Sequence, residues 1–180
     1  DIITSNVDLS GLEVETAGDN DRAFILKTKL TAYLNNSDAL YDYVIIDCPP
    51  SLNMLTVNAL VAADAVVIPT QCEYYALEGL SGLLETISKI QRVLNPNLKI
   101  EGLLRTMFDS RNNLANEVSQ QLLDYFGDKV YQTIIPRNVR LAEAPSHGLP
   151  VITYDKSSAG ALAYLSLAGE FLRKESLSDL

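Results

Sequence analysis

Tyr43-Val44-Ile45-Ile46-Asp47-Cys48-Pro49-Pro50-Ser51 carries the first decision about the fold. Its unbroken apolar run, rich in β-branched side chains, suits a strand buried on both faces, and the proline pair ends it. The same pattern recurs on either side. Ala65-Val66-Val67-Ile68, stopped by Pro69, reads as a second buried strand, and Lys99 to Met107 and Val130 to Ile135, the latter stopped by Pro136, read as further strands. Between them lie segments of helical period: Asn53 to Val61, Leu77 to Leu94 with its leucines and isoleucines on one side, and Asn112 to Phe126 ended by Gly127. Upstream, Leu12 to Thr16 alternates weakly and is expected as a strand, and Asp21 to Asn35 as a helix capped by Asp19, Asn20 or Asp21. Ser157 or Ser158 caps a last helix reaching about Arg173. Alternating strands and helices predict an α/β fold, a mostly parallel β-sheet flanked by helices, with residues 1–180 as one domain.

Composition agrees with a globular chain: 180 residues, 47% hydrophobic and 21% charged. No stretch approaches the ~18 apolar residues of a membrane span, and the start, Asp1-Ile2-Ile3-Thr4-Ser5-Asn6, has no basic segment of the kind that opens a signal peptide. Cys48 and Cys72 lie far apart, and the lone His147 sits in a turn-like Pro145-Ser146-His147-Gly148. They predict a reduced interior and a loop histidine, with no transition-metal site. The net charge of −9 argues against nucleic acid when taken alone. It is uneven, however: residues 1–104 carry −8, residues 105–140 carry +1, and residues 141–180 carry −2. The middle segment leaves room for a small basic patch.

In a parallel sheet, ligands bind beyond the carboxyl ends of the strands. Asp47 to Asn53, Thr70 to Glu73, Thr106 to Asn112 and Pro136 to Arg140 all follow predicted strands. An apolar strand ending in Asp is the arrangement by which phosphate-binding-loop NTPases set a carboxylate beside Mg²⁺ and the β- and γ-phosphates, with the carboxylate reaching the metal through water. The plain alternative is a solvated Asp at a strand end. For Asp47 in isolation both readings stand.

The order of motifs resolves this. Asp47-Cys48-Pro49-Pro50-Ser51-Leu52 resembles the Walker B and switch region of the ParA/Soj/MinD group. The resemblance continues through Gln71-Cys72-Glu73-Tyr74-Tyr75-Ala76-Leu77-Glu78-Gly79 and Thr106-Met107-Phe108-Asp109-Ser110-Arg111. It is tightest over residues 134–148, Ile-Ile-Pro-Arg-Asn-Val-Arg-Leu-Ala-Glu-Ala-Pro-Ser-His-Gly. It covers nearly the whole chain and is weakest before Tyr41. The family begins with a deviant Walker A loop, Lys-Gly-Gly-x-Gly-Lys-Thr-Thr, and no Gly-Lys-Thr or Gly-Lys-Ser occurs here. That loop supplies the phosphate cradle and its lysine. The expectation is therefore a C-terminal portion of a partition ATPase, a truncated product or fragment, that does not hydrolyse ATP alone. A fold lacking the strand that leads into that loop must tolerate the gap, fill it with its N-terminal segment, or pair with another chain.

The resemblance implies further assignments. Asp47 is the catalytic-site carboxylate and Mg²⁺ partner. Pro136 and Asn138 frame the adenine base, with Met107 and Phe108 as its neighbours. On the residues alone, Pro136 ends a strand, Asn138 caps a short helix, and Met107 and Phe108 belong to the core. Arg111 and Arg140 match the family positions that contact DNA phosphates without sequence preference; on the residues alone they balance Asp109 and Glu143. The complete protein is expected to bind ATP and Mg²⁺, to close as a homodimer, and to bind DNA non-specifically. A ParB/Spo0J-type partner stimulates it, and it works in the cytoplasm on the nucleoid. The tail from Lys174 is short and not net basic, so no membrane anchor is expected. The alternative is a non-catalytic regulatory or dimerisation module that has lost nucleotide binding.

Overall fold

A computed structural model describes residues 1–36 and 41–178; the last two residues of the tail fall outside them. The chain divides into two compact units, one of residues 1–66 with 85–99, the other of residues 67–84 with 100–180.

The first unit is helical. Asn6 accepts the backbone N–H of Asp8 and opens a 3₁₀ turn, Val7–Gly11, which runs into α1, Leu12–Glu15. The weak alternation at Leu12 to Thr16 is thus helix, not strand. A turn capped by Asn6 continues directly into it, and five residues of loose alternation cannot outweigh that. Helix α2, Ile25–Asn36, follows a 3₁₀ turn, and α3 spans Met54–Ala62 with Asn53 capping it through the N–H of Thr56. The core is made by Leu60 and Val61 of α3 with Ile87, Ile90 and Leu98.

Polar side chains stitch these pieces together. Asn58 accepts the N–H of Leu26 and donates to the carbonyls of Arg22 and Met54. Asn95 donates to the carbonyls of Leu60 and Ala63 at 3.0 and 2.8 Å, and Glu13 accepts the N–H of Met54. The N–H groups of Leu26 and Met54 and the carbonyl of Leu60 are helix-end groups of the kind that lack an intrahelical partner.

The run Tyr43 to Ile46 is not a strand. It is assigned to no strand, and Ile45 is 92% exposed. Among the described residues none before Ala65 belongs to a strand, so the N-terminal segment does not complete the sheet. An apolar run becomes a buried strand only with neighbours on its edges and faces, and the sheet among the described residues holds only β1, β2 and β3.

The second unit is built on the sheet. Strands β1, Ala65–Gln71, β2, Lys99–Phe108, and β3, Val130–Pro136, lie in the order β1-β2-β3, with β2 and β3 parallel. Pro69 does not stop β1, which continues to Gln71. Proline is tolerated there because β1 is an edge strand, where one N–H can be spared. Helix α4, Ala76–Val93, connects β1 to β2, and α5, Asn113–Phe126, capped by Asn112, connects β2 to β3. Gly127 ends α5 with φ +51°, a conformation glycine takes freely. Beyond β3 come α6, Val139–Glu143, α7, Val151–Tyr154, and α8, Ala159–Ser178.

Strand β2 is buried on both faces. Leu104 packs with Tyr131 and Ile135 of β3 under Leu167 and Phe171 of α8. Arg105, pointing the other way, donates to Ser119 of α5 and to the carbonyl of Tyr131, each at 2.9 Å. Gly102 allows the strands to approach: a Cβ there would sit 2.7 Å from the Tyr131 ring and 2.9 Å from the Lys129 carbonyl. Glu170 of α8 takes the N–H groups of Gln132 and Thr133, at 2.7 and 2.8 Å, on β3. A buried carboxylate with two such donors keeps its charge. Burial pushes its pKa up, but the hydrogen bonds and Lys174 hold it below the usual range.

Candidate functional site

The sheet's carboxyl end is irregular where a ligand would lie. Between the pairs Arg105–Ile134 and Phe108–Pro136, β2 uses one residue more than β3. That step contains Met107, which has φ +48°. A non-glycine residue in the left-handed region costs about 1–3 kcal/mol and collects at sites where a side chain must be aimed. The Met107 thioether accepts a hydrogen bond from the Gln71 amide at 3.3 Å, and the N–H of Arg137 donates to the Phe108 carbonyl at 2.9 Å. The ends of all three strands are thereby tied together.

These ends enclose a cleft of about 200 Å³. Gln71, Cys72 and Glu73 line it from the end of β1, and Met107, Phe108 and Asp109 from β2. Asn112 and Ala115 at the start of α5 and Arg137 after β3 close it. Cys72 is buried, and its thiol is pushed up by desolvation against the opposing pull of Arg105. The volume is below the ~300 Å³ at which drug-sized pockets begin. It has room for a flat heterocycle with polar groups at its rim, not for a whole nucleoside triphosphate.

Two of the residues expected at a base, Met107 and Phe108, line this cleft. Pro136 and Asn138 flank it, and the residue between them, Arg137, is the one that reaches it. Asn138 caps α6, its side-chain oxygen accepting the N–H of Arg140 at 3.0 Å. Arg137, Gln71, Glu73 and Asn112 fell within the strand-end segments but were given no individual role in the sequence. Their one signal was position after a strand.

Both arginines expected at DNA carry carboxylate partners. Arg111, 88% exposed, places Nε and Nη2 on the two oxygens of Asp109, at 2.9 and 2.7 Å. This fork holds the Asp109 carboxyl down at about 2. Arg140, 51% exposed, donates through Nη1 to Glu143 at 2.7 Å, and its Nε lies 3.4 Å from Asp155. The hydroxyl of Tyr154 also donates to Glu143, at 3.3 Å, and His147 stacks on the Tyr154 ring. Asp47 is exposed and belongs to the helical unit.

Comparison with known proteins identifies the frame. Residues 1–100 match the family model described as an AAA domain. The chain is 56% identical to the sporulation initiation inhibitor protein Soj of Bacillus subtilis over 170 residues, 94% of this chain and 66% of that protein. It is 51% identical to the chromosome partitioning protein ParA of Caulobacter vibrioides over 97% of this chain and 65% of that protein. It spans about 65% of the length of the curated relatives it matches. Among solved structures, cobyrinic acid a,c-diamide synthase of Mycobacterium smegmatis, with bound ADP and magnesium, superposes with a TM-score of 0.76 at 36% identity. That match covers 96% of this chain and 61% of the synthase. A plasmid partition protein of Borrelia burgdorferi superposes at 0.59 with 30% identity over 71% of this chain and 50% of its own. Strand order, helical cover and these relatives agree, and the chain belongs to the ParA/Soj family of chromosome-partitioning ATPases.

Proposed function

We propose that this chain contributes the base side and the DNA side of a partition ATPase whose phosphate-binding loop lies outside these 180 residues. The observation that carries the reading is the cleft at the three strand ends, aimed by the left-handed Met107 and bounded by Phe108 and Arg137. Adenine of ATP occupies the cleft, with Pro136 and Asn138 shaping its rim. Among the described residues no three His, Cys, Asp or Glu side chains gather as a metal site. In the complete protein Asp47 is the carboxylate that would hold Mg²⁺ through water. ATP closes two subunits, Arg111 and Arg140 meet DNA phosphates, and a ParB-type partner triggers release in the cytoplasm. Among the described residues no helix is long and apolar enough to cross a membrane.

The test is calorimetric titration of the full-length gene product with Mg-ATP, beside Met107→Gly. Glycine adopts the left-handed backbone without strain, which offsets the freedom it adds to the unfolded chain and the lost Gln71 contact, so the variant melts close to the parent's temperature. It loses the side chain's contact with the base, and affinity falls roughly five- to tenfold, about half the value of fully burying an apolar side chain, in keeping with a Met107 that is 47% exposed. Unchanged affinity would remove the cleft from the nucleotide site.

A further inference from the structure

Arg111 and Arg140 are held by this chain's own anions. Asp109 presents two oxygens to two nitrogens of Arg111 and also accepts the Arg111 N–H at 3.1 Å. A DNA phosphate binds a guanidinium through the same two-oxygen fork. Arg140 is held from two directions, by Glu143 three residues on and by Asp155 beyond α7. Those carboxylates are themselves oriented: Tyr154 donates to Glu143, and Asp155 accepts the N–H and hydroxyl of Ser157 at 3.2 and 2.8 Å. Neither arrangement is a loose encounter of surface charges.

We propose that Asp109, Glu143 and Asp155 are affinity-setting residues, internal stand-ins for phosphate that DNA must displace before it can engage Arg111 and Arg140. The inference rests on the reading of those arginines as DNA contacts. Binding is then an exchange of partners. Each guanidinium leaves a carboxylate as it reaches a phosphate, and the released carboxylate remains beside the polyanion. Both effects subtract from affinity, and both weaken as salt screens the surface. The two holds differ in kind. Arg111 is held by a carboxylate two residues away that also forms part of the cleft wall. Arg140 is held by two segments at once, so releasing it fully requires both Glu143 and Asp155 to let go.

The experiment measures binding of a mixed-sequence DNA duplex to the full-length protein with Mg-ATP present, by fluorescence anisotropy across a salt series. The variants are Arg111→Ala, Arg140→Ala, Asp109→Asn, Glu143→Gln, Asp155→Asn and the Glu143→Gln/Asp155→Asn pair. Loss of binding in both arginine variants with a gain in the carboxylate variants supports the proposal. The gain expected is roughly two- to fivefold per exposed pair, largest at low salt and largest in the double variant. Arginine variants that lose binding while the carboxylate variants stay level or weaken overturn the proposal and leave the DNA reading intact. Arginine variants that bind as the parent does overturn both. Circular dichroism melts on each variant separate a folding defect from a binding one, and Glu143→Gln still accepts the Tyr154 hydroxyl.

Discussion

Each of the two units of this chain is held together by different means. The sheet unit is held by a backbone ladder and apolar layers on both faces of β2, with Leu103 and Leu104 as adjacent buried residues. The helical unit has no strand among its described residues before Ala65, and buried amides from Asn58 and Asn95 do the joining. A similar apolar run meets opposite fates in the two. Leu103 is 1% exposed on β2, while Ile45 lies almost wholly in solvent. The difference teaches that a strand is a property of a pair. Propensity nominates a segment, but only neighbours that accept from its N–H groups and donate to its C=O groups make it a strand.

The largest break in this comparison comes from truncating one residue of each run. Leu103→Ala removes a side chain that is 1% exposed on the central strand, and is expected to cost about 3–5 kcal/mol. Ile45→Ala removes a side chain already in water and should stay within about 0.5 kcal/mol. Urea midpoints of the two variants give the measurement. Equal losses would mean that Ile45 is buried in solution.

A middle-sized effect tests the polar stitching. Asn95 supplies one amide to carbonyls at the end of α3, groups that a helix of nine residues cannot satisfy by itself. Asn95→Ala leaves them unpaired in a buried place, at a cost of about 1–3 kcal/mol. Asn95→Asp should cost more, because a carboxylate there faces acceptors with no proton to offer. Hydrogen exchange localised to residues 54–63 would show whether the loss opens α3 first.

Much of the sheet unit was legible because its signals were local and redundant. The strand at Lys99 to Met107, the helix from Asn112 and its stop at Gly127 all stand in the sequence. Leu12 to Thr16 and Tyr43 to Ile46 misled for opposite reasons. The first was too short for period to decide, and the second had the right composition without a partner strand. At the candidate site, Met107 and Phe108 were legible as strand-end residues, but the left-handed backbone of Met107 was not, since nothing but a register step between two strands requires it. Asp109 and Glu143 were visible beside their arginines as close sequence neighbours. Asp155 was not, because fourteen intervening residues bring it to Arg140 only through the turn of α7.

The smallest effect sharpens the contrast at the sheet unit's rim, where polar groups meet water instead of closing a core. The fork from Arg111 lowers the Asp109 carboxyl from 3.8 to about 2. A carboxylate depressed on folding contributes stability that is complete above its unfolded value and is lost as pH falls through its folded one. The Asp109–Arg111 contribution is therefore intact above about pH 4 and fades as pH falls toward 2. Because the pair is solvent-exposed, the effect on global stability is slight and fades with salt. Site-resolved NMR titration of the Asp109 carboxyl carbon measures it directly, with a midpoint near 2 in the parent protein. Arg111→Ala should return that midpoint toward the ordinary aspartate range. A midpoint that does not move would show that the fork does not persist in solution, and would leave Arg111 unheld where the buried amides of the helical unit keep their partners.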